Sequence, residues 1–213
     1  MLEALPEPDR TTFLAAAQRR RFRAGEVVFH AGDPAGSVHV IRRGHVAVRQ
    51  WTRFGDVVTL TVLGPDQLFG ELGAVTPDGQ RAATVIALDL TETWAWDRRE
   101  LAALRRAHPA VDAALVALLT ARIHDLTTHL TEALFESADT RVLRRLLAVC
   151  DLYGGRTAGT VVPLTQDDLA SMAGTTRSTA NRALRSLEAD GILELSRGRI
   201  TVRDADALAR RAG

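Results

Sequence analysis

The hydrophobic pattern of this chain changes period completely near residue 98, and that change decides how it is organised. From about residue 22 to residue 97 it runs in short β-type segments punctuated by glycine: EVVFHAG, SVHVIRRG, HVAVRQW, VVTLTVLG, ATVIALD and TETWAWD. Such spacing predicts an all-β barrel or jelly roll. From about 98 to 137 the period is helical. Val116, Leu119, Ile123, Leu126 and Leu130 alternate steps of three and four, the seam pattern of paired helices. A second register shares Val116, Ile123 and Leu130 but runs through Thr120, Thr127 and Leu134. One helix cannot turn both registers toward one partner. The expectation is one stripe against the β-domain and the other against a second copy of the chain. Ahead of the β-region, Asp9–Arg20 reads as one short helix. The fold class is α+β: a β-domain over 1–108, a dimerisation helix over 109–137 and a third region over 138–213.

Residues 165–187 of that third region, TQDDLASMAGTTRSTANRALRSL, read as two short helices joined by a tight turn. Thr165 is a good N-cap, and Asp168 resembles the acidic half of a capping box. Leu169, Met172 and Ala173 share one face, and Gly174 stands where the turn needs positive φ. The second helix buries Ala180, Ala183, Leu184 and Leu187. Its other side carries Thr176, Arg177, Ser178, Asn181 and Arg185, with Arg182 at one flank. A helix fits the major groove, and an arginine fork can donate twice to guanine. Gly191 ends this helix, and ILEL (192–195), SRG (196–198) and RITV (199–202) predict a hairpin. Together these make a winged helix-turn-helix, with Arg197 and Arg199 on a wing suited to phosphates.

The formal charge of this 213-residue chain is only +1, so DNA affinity must come from a local basic face. All 27 basic residues are arginine. One cysteine, Cys150, excludes an internal disulfide and a four-thiolate iron–sulfur cluster, and its apolar helical setting predicts a buried thiol. The six histidines show no zinc-like or haem-attachment spacing, so no metal is expected. No nucleophile–base pair or paired-carboxylate motif is visible, and no catalysis is expected. No apolar run approaches the roughly 18 residues that span a bilayer. The N-terminus lacks a basic-then-apolar signal, and a cytoplasmic location without membrane contact is expected. YGGRTAGT (153–160) reads as a glycine-rich surface loop.

FGELGAVTPDGQRAAT (69–84) has the parts of an anion-binding cassette. Gly70, Glu71, Leu72 and Gly73 can present backbone N–H groups at a short turn, and Arg81 can close over the same spot. Glu71 suits a sugar hydroxyl, so a phosphorylated ribose is a coherent ligand.

The chain resembles transcription regulators of the cyclic-AMP receptor protein and fumarate–nitrate regulator (CRP/FNR) family. The resemblance rests on GEVVFHAGD…VHVIRRGHVAV (25–48), the GELG…QRAAT cassette, the long helix and LTQDDLASMAGTTRSTANRALRSLEADGIL (164–193). It implies that Gly70, Glu71, Leu72, Arg81 and Ala82 hold the ribose-phosphate of a cyclic nucleotide such as cyclic AMP, with Thr127 and Thr128 meeting the base. Two positions depart from the family pattern. Ala82 replaces a phosphate-contacting hydroxyl, and Ile123 stands where a ligand-facing arginine is expected. No permanent cofactor is implied. The resemblance further implies a homodimer on a near-palindromic operator, with Arg177 and Arg182 reading bases. Ser178 replaces a glutamate there, so the operator should differ at that base pair. Thr165, Thr175, Thr176, Thr179 and Asn181 complete the DNA-facing set with Ser178, Arg197 and Arg199. The loop at 153–160 lies where activators of the family touch RNA polymerase. The alternative is a regulator of the same fold that works without effector.

Overall fold

The computed structural model describes residues 6–76 and 79–212. They form two compact units. The first takes the chain up to Gln50 and then Leu63–Leu126; the second takes Trp51–Val62 and the residues from Thr127 on.

In chain order the first unit carries α1 (Glu7–Ala15), β1 (Gln18–Phe22), β2 (Val27–Phe29), β3 (Ser37–Arg43) and β4 (Val46–Trp51). After β5 (Val57–Leu63) come β6 (Leu68–Phe69), α2 (Glu71–Val75), β7 (Thr84–Ala87), β8 (Thr91–Asp97), α3 (Arg98–Ala107) and the start of α4 (Pro109–Phe135). One antiparallel sheet has the order β1-β8-β3-β6. In the other, β7 pairs antiparallel with β2 and with β4. The sheets do not close into a barrel; of the two β architectures expected, the jelly roll is the one that fits. Ile41, Val46, Leu63, Phe69 and Val85 fill the space between the sheets. The outer face of the first sheet carries Val38, Val40 and Trp96, closed over by Phe13, Leu101, Leu104, Val111, Ala114 and Leu115. Trp96 is fully buried, and its indole N–H donates to the Phe13 carbonyl at 2.6 Å.

Two expectations need correction here. The helix expected over Asp9–Arg20 ends at Ala15, and Gln18–Arg20 begins β1. Five residues of β1 pair with β8, and Arg19 and Arg21 both reach Glu92; that ladder outweighs the modest helix preference of arginine and glutamine. The stripe of α4 that packs on the β-domain is neither expected register. It is Val111, Ala114 and Leu115, with Leu118 half-buried, because only the first turns of the helix lie on the sheet. Val116, Ile123, Leu126, Leu130 and Leu134 are each more than 60 % exposed, and of the first seam only Leu119 is half-buried.

The second unit carries α5 (Ala138–Leu152), β9 (Val161–Val162), α6 (Gln166–Met172), α7 (Arg177–Ala189), β10 (Leu193–Ser196), β11 (Arg199–Val202) and α8 (Ala205–Arg211). α5 buries Val142, Leu146 and Cys150, and burial pushes the Cys150 thiol up to about 11, so it stays protonated. The β10–β11 hairpin turns at Arg197 and Gly198, whose φ of 71° needs glycine. Its ladder starts one residue later than expected, because Ile192 is spent in the core. β9 adds a third strand beside β11. Thr59 of β5 is also buried in this unit: its hydroxyl donates to Asp168 Oδ1 at 2.7 Å and its N–H donates to Ser171 Oγ at 3.0 Å. No signal in the sequence marks that contact. No helix among the described residues is long and apolar enough to cross a membrane.

Candidate nucleic-acid interface and effector cassette

The reading head is built by local capping. Thr165 Oγ1 accepts the Asp168 N–H at 3.1 Å, and Asp168 Oδ2 accepts the Thr165 N–H at 3.0 Å, a complete capping box at the start of α6. Gly174 takes φ 59° at the turn, and the Thr175 N–H closes it onto the Ala170 carbonyl at 2.9 Å. Thr176 caps α7 through the Thr179 N–H, and its hydroxyl lies 2.8 Å from that of Ser178. Ala180, Ala183, Leu184 and Leu187 are buried, so the opposite face of α7 is the one left to solvent.

A groove of about 490 Å³ runs between α7 and the wing. It brings together Thr165, Arg177, Asn181, Arg197 and Arg199 from the expected set. It also brings in Arg185, from the helix face expected to meet the groove, and Gln166, Asp167 and Ser196, which the sequence does not mark for DNA. The remaining expected residues lie outside that groove. Arg182 stands on the other flank of α7, 3.2 Å from Asp139; Thr176 and Ser178 form the cap, and Thr175 and Thr179 are half-buried beside it. Arg177 faces Asp167 at 3.4 Å, an exposed pair that holds little energy and yields readily to a phosphate or a base. The Asn181 Oδ1 is buried without a hydrogen-bond partner. A basic helix beside a basic hairpin, with a groove between them, is a surface for a duplex.

In the first unit, Gly70 takes φ 83° just before α2, and a Cβ there would lie 2.6 Å from Arg81 Nη1. Gly73 is tighter still, its missing Cβ only 2.5 Å from the Gln80 carbonyl oxygen. The space Gly70 leaves admits the Arg81 side chain, which is 5 % exposed, while Gly73 lets the Gln80 backbone and Ala35 close in. Arg81 donates to the Gly70 carbonyl at 3.0 Å and to Ser37 Oγ at 3.1 Å, and stacks 3.8 Å above the Phe29 ring. Its Nε has no partner. Burial lowers the Arg81 pKa, against the pull of Asp33 and Glu71.

Glu71 is 1 % exposed. One carboxylate oxygen is held by Arg122 of α4, which also donates to the Leu68 carbonyl; the other oxygen, Oε2, is buried with no partner. Burial raises the Glu71 pKa, with Arg122 opposing it. The helix arginine that reaches this carboxylate is Arg122, while Ile123, one position on, points to solvent. Leu72 and Ala82 are exposed at the rim, and Thr127 and Thr128 are exposed on the part of α4 that belongs to the second unit. A cyclic nucleotide-binding domain model matches residues 19–108, and a Crp-like helix-turn-helix domain model matches residues 140–211. Over 195 residues the chain is 34 % identical to the cyclic AMP receptor protein of Thermus thermophilus, across 92 % of this chain and 88 % of that one.

The chain belongs to the CRP/FNR family of transcription regulators. A CRP-like cAMP-activated global transcriptional regulator of Mycobacterium tuberculosis is 28 % identical over 194 residues, 90 % of this chain and 86 % of that one. Among solved structures, the catabolite activator protein of T. thermophilus matches at 32 % identity with a TM-score of 0.56, over 98 % of this chain and 95 % of that one. The c-di-GMP responsive regulator CLP of Xanthomonas campestris shares the fold, with a TM-score of 0.77 at 24 % identity over 93 % of this chain and 99 % of that one. Like these family members, the chain is a DNA-binding regulator with a cyclic nucleotide-binding domain.

Proposed function

We propose that this regulator is gated by a cyclic nucleotide held in the Gly70–Arg81 cassette. The observation that carries the reading is the pair of orphaned buried atoms, Glu71 Oε2 and Arg81 Nε, on adjoining walls of one cassette. An acceptor and a donor left unpaired in a dry site each cost roughly 1–3 kcal/mol until a ligand meets them. A ribose hydroxyl suits the carboxylate and a phosphate suits the guanidinium. Gly70, Leu72 and Ala82 frame the opening, Arg122 braces Glu71, and Thr127 and Thr128 are assigned to the base. Cyclic AMP is the nucleotide named for relatives in the family, and it is the first to test.

Two copies pair through the exposed apolar stripe of α4 and read a near-palindromic operator. Arg177, Arg182 and Asn181 face bases, while Ser178 recognises less selectively than an acid would. Thr165, Thr175, Thr176, Thr179, Arg197 and Arg199 hold the backbone. The loop at 153–160 is assigned to RNA polymerase, the location to the cytoplasm, and no catalytic step is assigned. One observation favours regulation without effector: Arg81 is already satisfied at two nitrogens and Ala82 offers no hydroxyl. Calorimetric titration with cyclic AMP and cyclic GMP, repeated on Glu71→Gln and paired with operator titrations, separates the two. Binding that changes operator affinity and is lost in Glu71→Gln supports gating. Unchanged operator affinity at saturation supports the effector-free reading.

A further inference from the structure

We propose that the open end of the β-domain beside Ser37 holds a second site, separate from the cassette, for a small organic carboxylate. A cavity of about 410 Å³ lies there, within the range of small-molecule sites. β1 and β3 both flank β8, and Gln18 and His39 both pair with Ala95. Alternate residues of a strand share a face, so Gln18, Arg20 and Phe22 line the cavity with Ser37 and His39.

The three consecutive arginines of β1 are treated differently. Arg19 and Arg21 point to the far face, and both pair with Glu92. Arg20 points into the cavity, and among the described residues it has no carboxylate partner. Its Nη2 donates to Gln18 Oε1 at 3.2 Å, which leaves the Gln18 amide nitrogen and the other guanidinium N–H groups as donors. Asp97 stands at the rim, but its carboxylate accepts the Arg99 N–H at the start of α3, where the helix end offsets its charge. His39 adds no charge: burial first, then Arg81 and Arg20, push its pKa down to about 3. Phe22 and Val28 supply an apolar wall.

One planar cation, amide donors and an apolar wall suit a monoanion with a small hydrophobic body; a phosphate dianion would call for a second cation. Ser37 joins the site to the cassette. Its hydroxyl accepts from Arg81 Nη2 at 3.1 Å and lies 2.8 Å from His39 Nε2, so one hydroxyl touches both a cassette residue and a residue of the cavity.

Benzoate is the probe, with benzamide as its neutral isostere, titrated by calorimetry into the full chain. Benzoate should bind about tenfold or more tightly than benzamide. Arg20→Met should weaken benzoate by a similar factor, while Arg21→Met, on the opposite face, leaves it unchanged. Saturating cyclic AMP should leave benzoate bound, and a chain that ignores cyclic AMP leaves the other arms intact. Equal binding of the two probes, full affinity in Arg20→Met, an equal loss in Arg21→Met, or competitive displacement by cyclic AMP each overturns the proposal.

Discussion

Acidification should destabilise this β-domain through one imidazole. His39 is 4 % exposed, stacked on Phe69 with ring centroids 5.0 Å apart, and fixed between Ser37 Oγ at 2.8 Å and Thr93 Oγ1 at 3.1 Å. Burial, with Arg81 and Arg20, pushes its pKa down to about 3. In the unfolded chain an imidazole titrates near about 6.5. The folded pKa is the lower one, so the unfolded state takes up the proton first. Stability is therefore complete above about pH 6.5 and is lost as pH falls from there toward about 3. Integrated from about pH 7 to about pH 5, His39 alone removes about 2 kcal/mol. Urea unfolding followed by tryptophan fluorescence at the two pH values measures this. His39→Gln, which keeps a polar partner for Ser37 but cannot titrate, should show a pH loss smaller by about that amount. An equal loss in wild type and variant would refute the reasoning.

Other perturbations test other parts of the structure. Gly73→Ala drives a methyl to 2.5 Å from the Gln80 carbonyl and 2.6 Å from Ala35 Cβ, and should cost about 1–3 kcal/mol in thermal unfolding of the β-domain. Thr59→Val removes the donor to Asp168 from a buried site; about 1–3 kcal/mol should be lost from the winged-helix unit, and an unchanged melting curve would contradict the contact. Arg197→Ala should weaken all DNA sequences alike and lower the slope of log affinity against log salt by about one per subunit, read from titrations at several salt concentrations.

The parts legible in the sequence were those whose causes are local. The Thr165–Asp168 box, the Gly174 turn and the buried face of α7 depend on residues within a few positions of one another, and each stands where the pattern placed it. The glycines at 70 and 73 were legible as special positions, and close packing there leaves no room for a Cβ. What was not legible depends on partners far along the chain. Gln18–Arg20 looks helical until β8 pairs with it. Arg122 reaches Glu71 across 51 positions, and its offset of one residue along the helix from position 123 leaves no mark in composition. Thr59 meets Asp168 across 109 positions and has no local signature at all.

Selection of duplex DNA from a random pool by the full chain tests the central claim most directly. Two inverted half-sites one helical turn apart, about 34 Å, should be recovered. Arg177→Ala should still bind DNA but enrich no motif. Recovery of the same motif by Arg177→Ala, or of a single unrepeated half-site by the wild type, would contradict that claim.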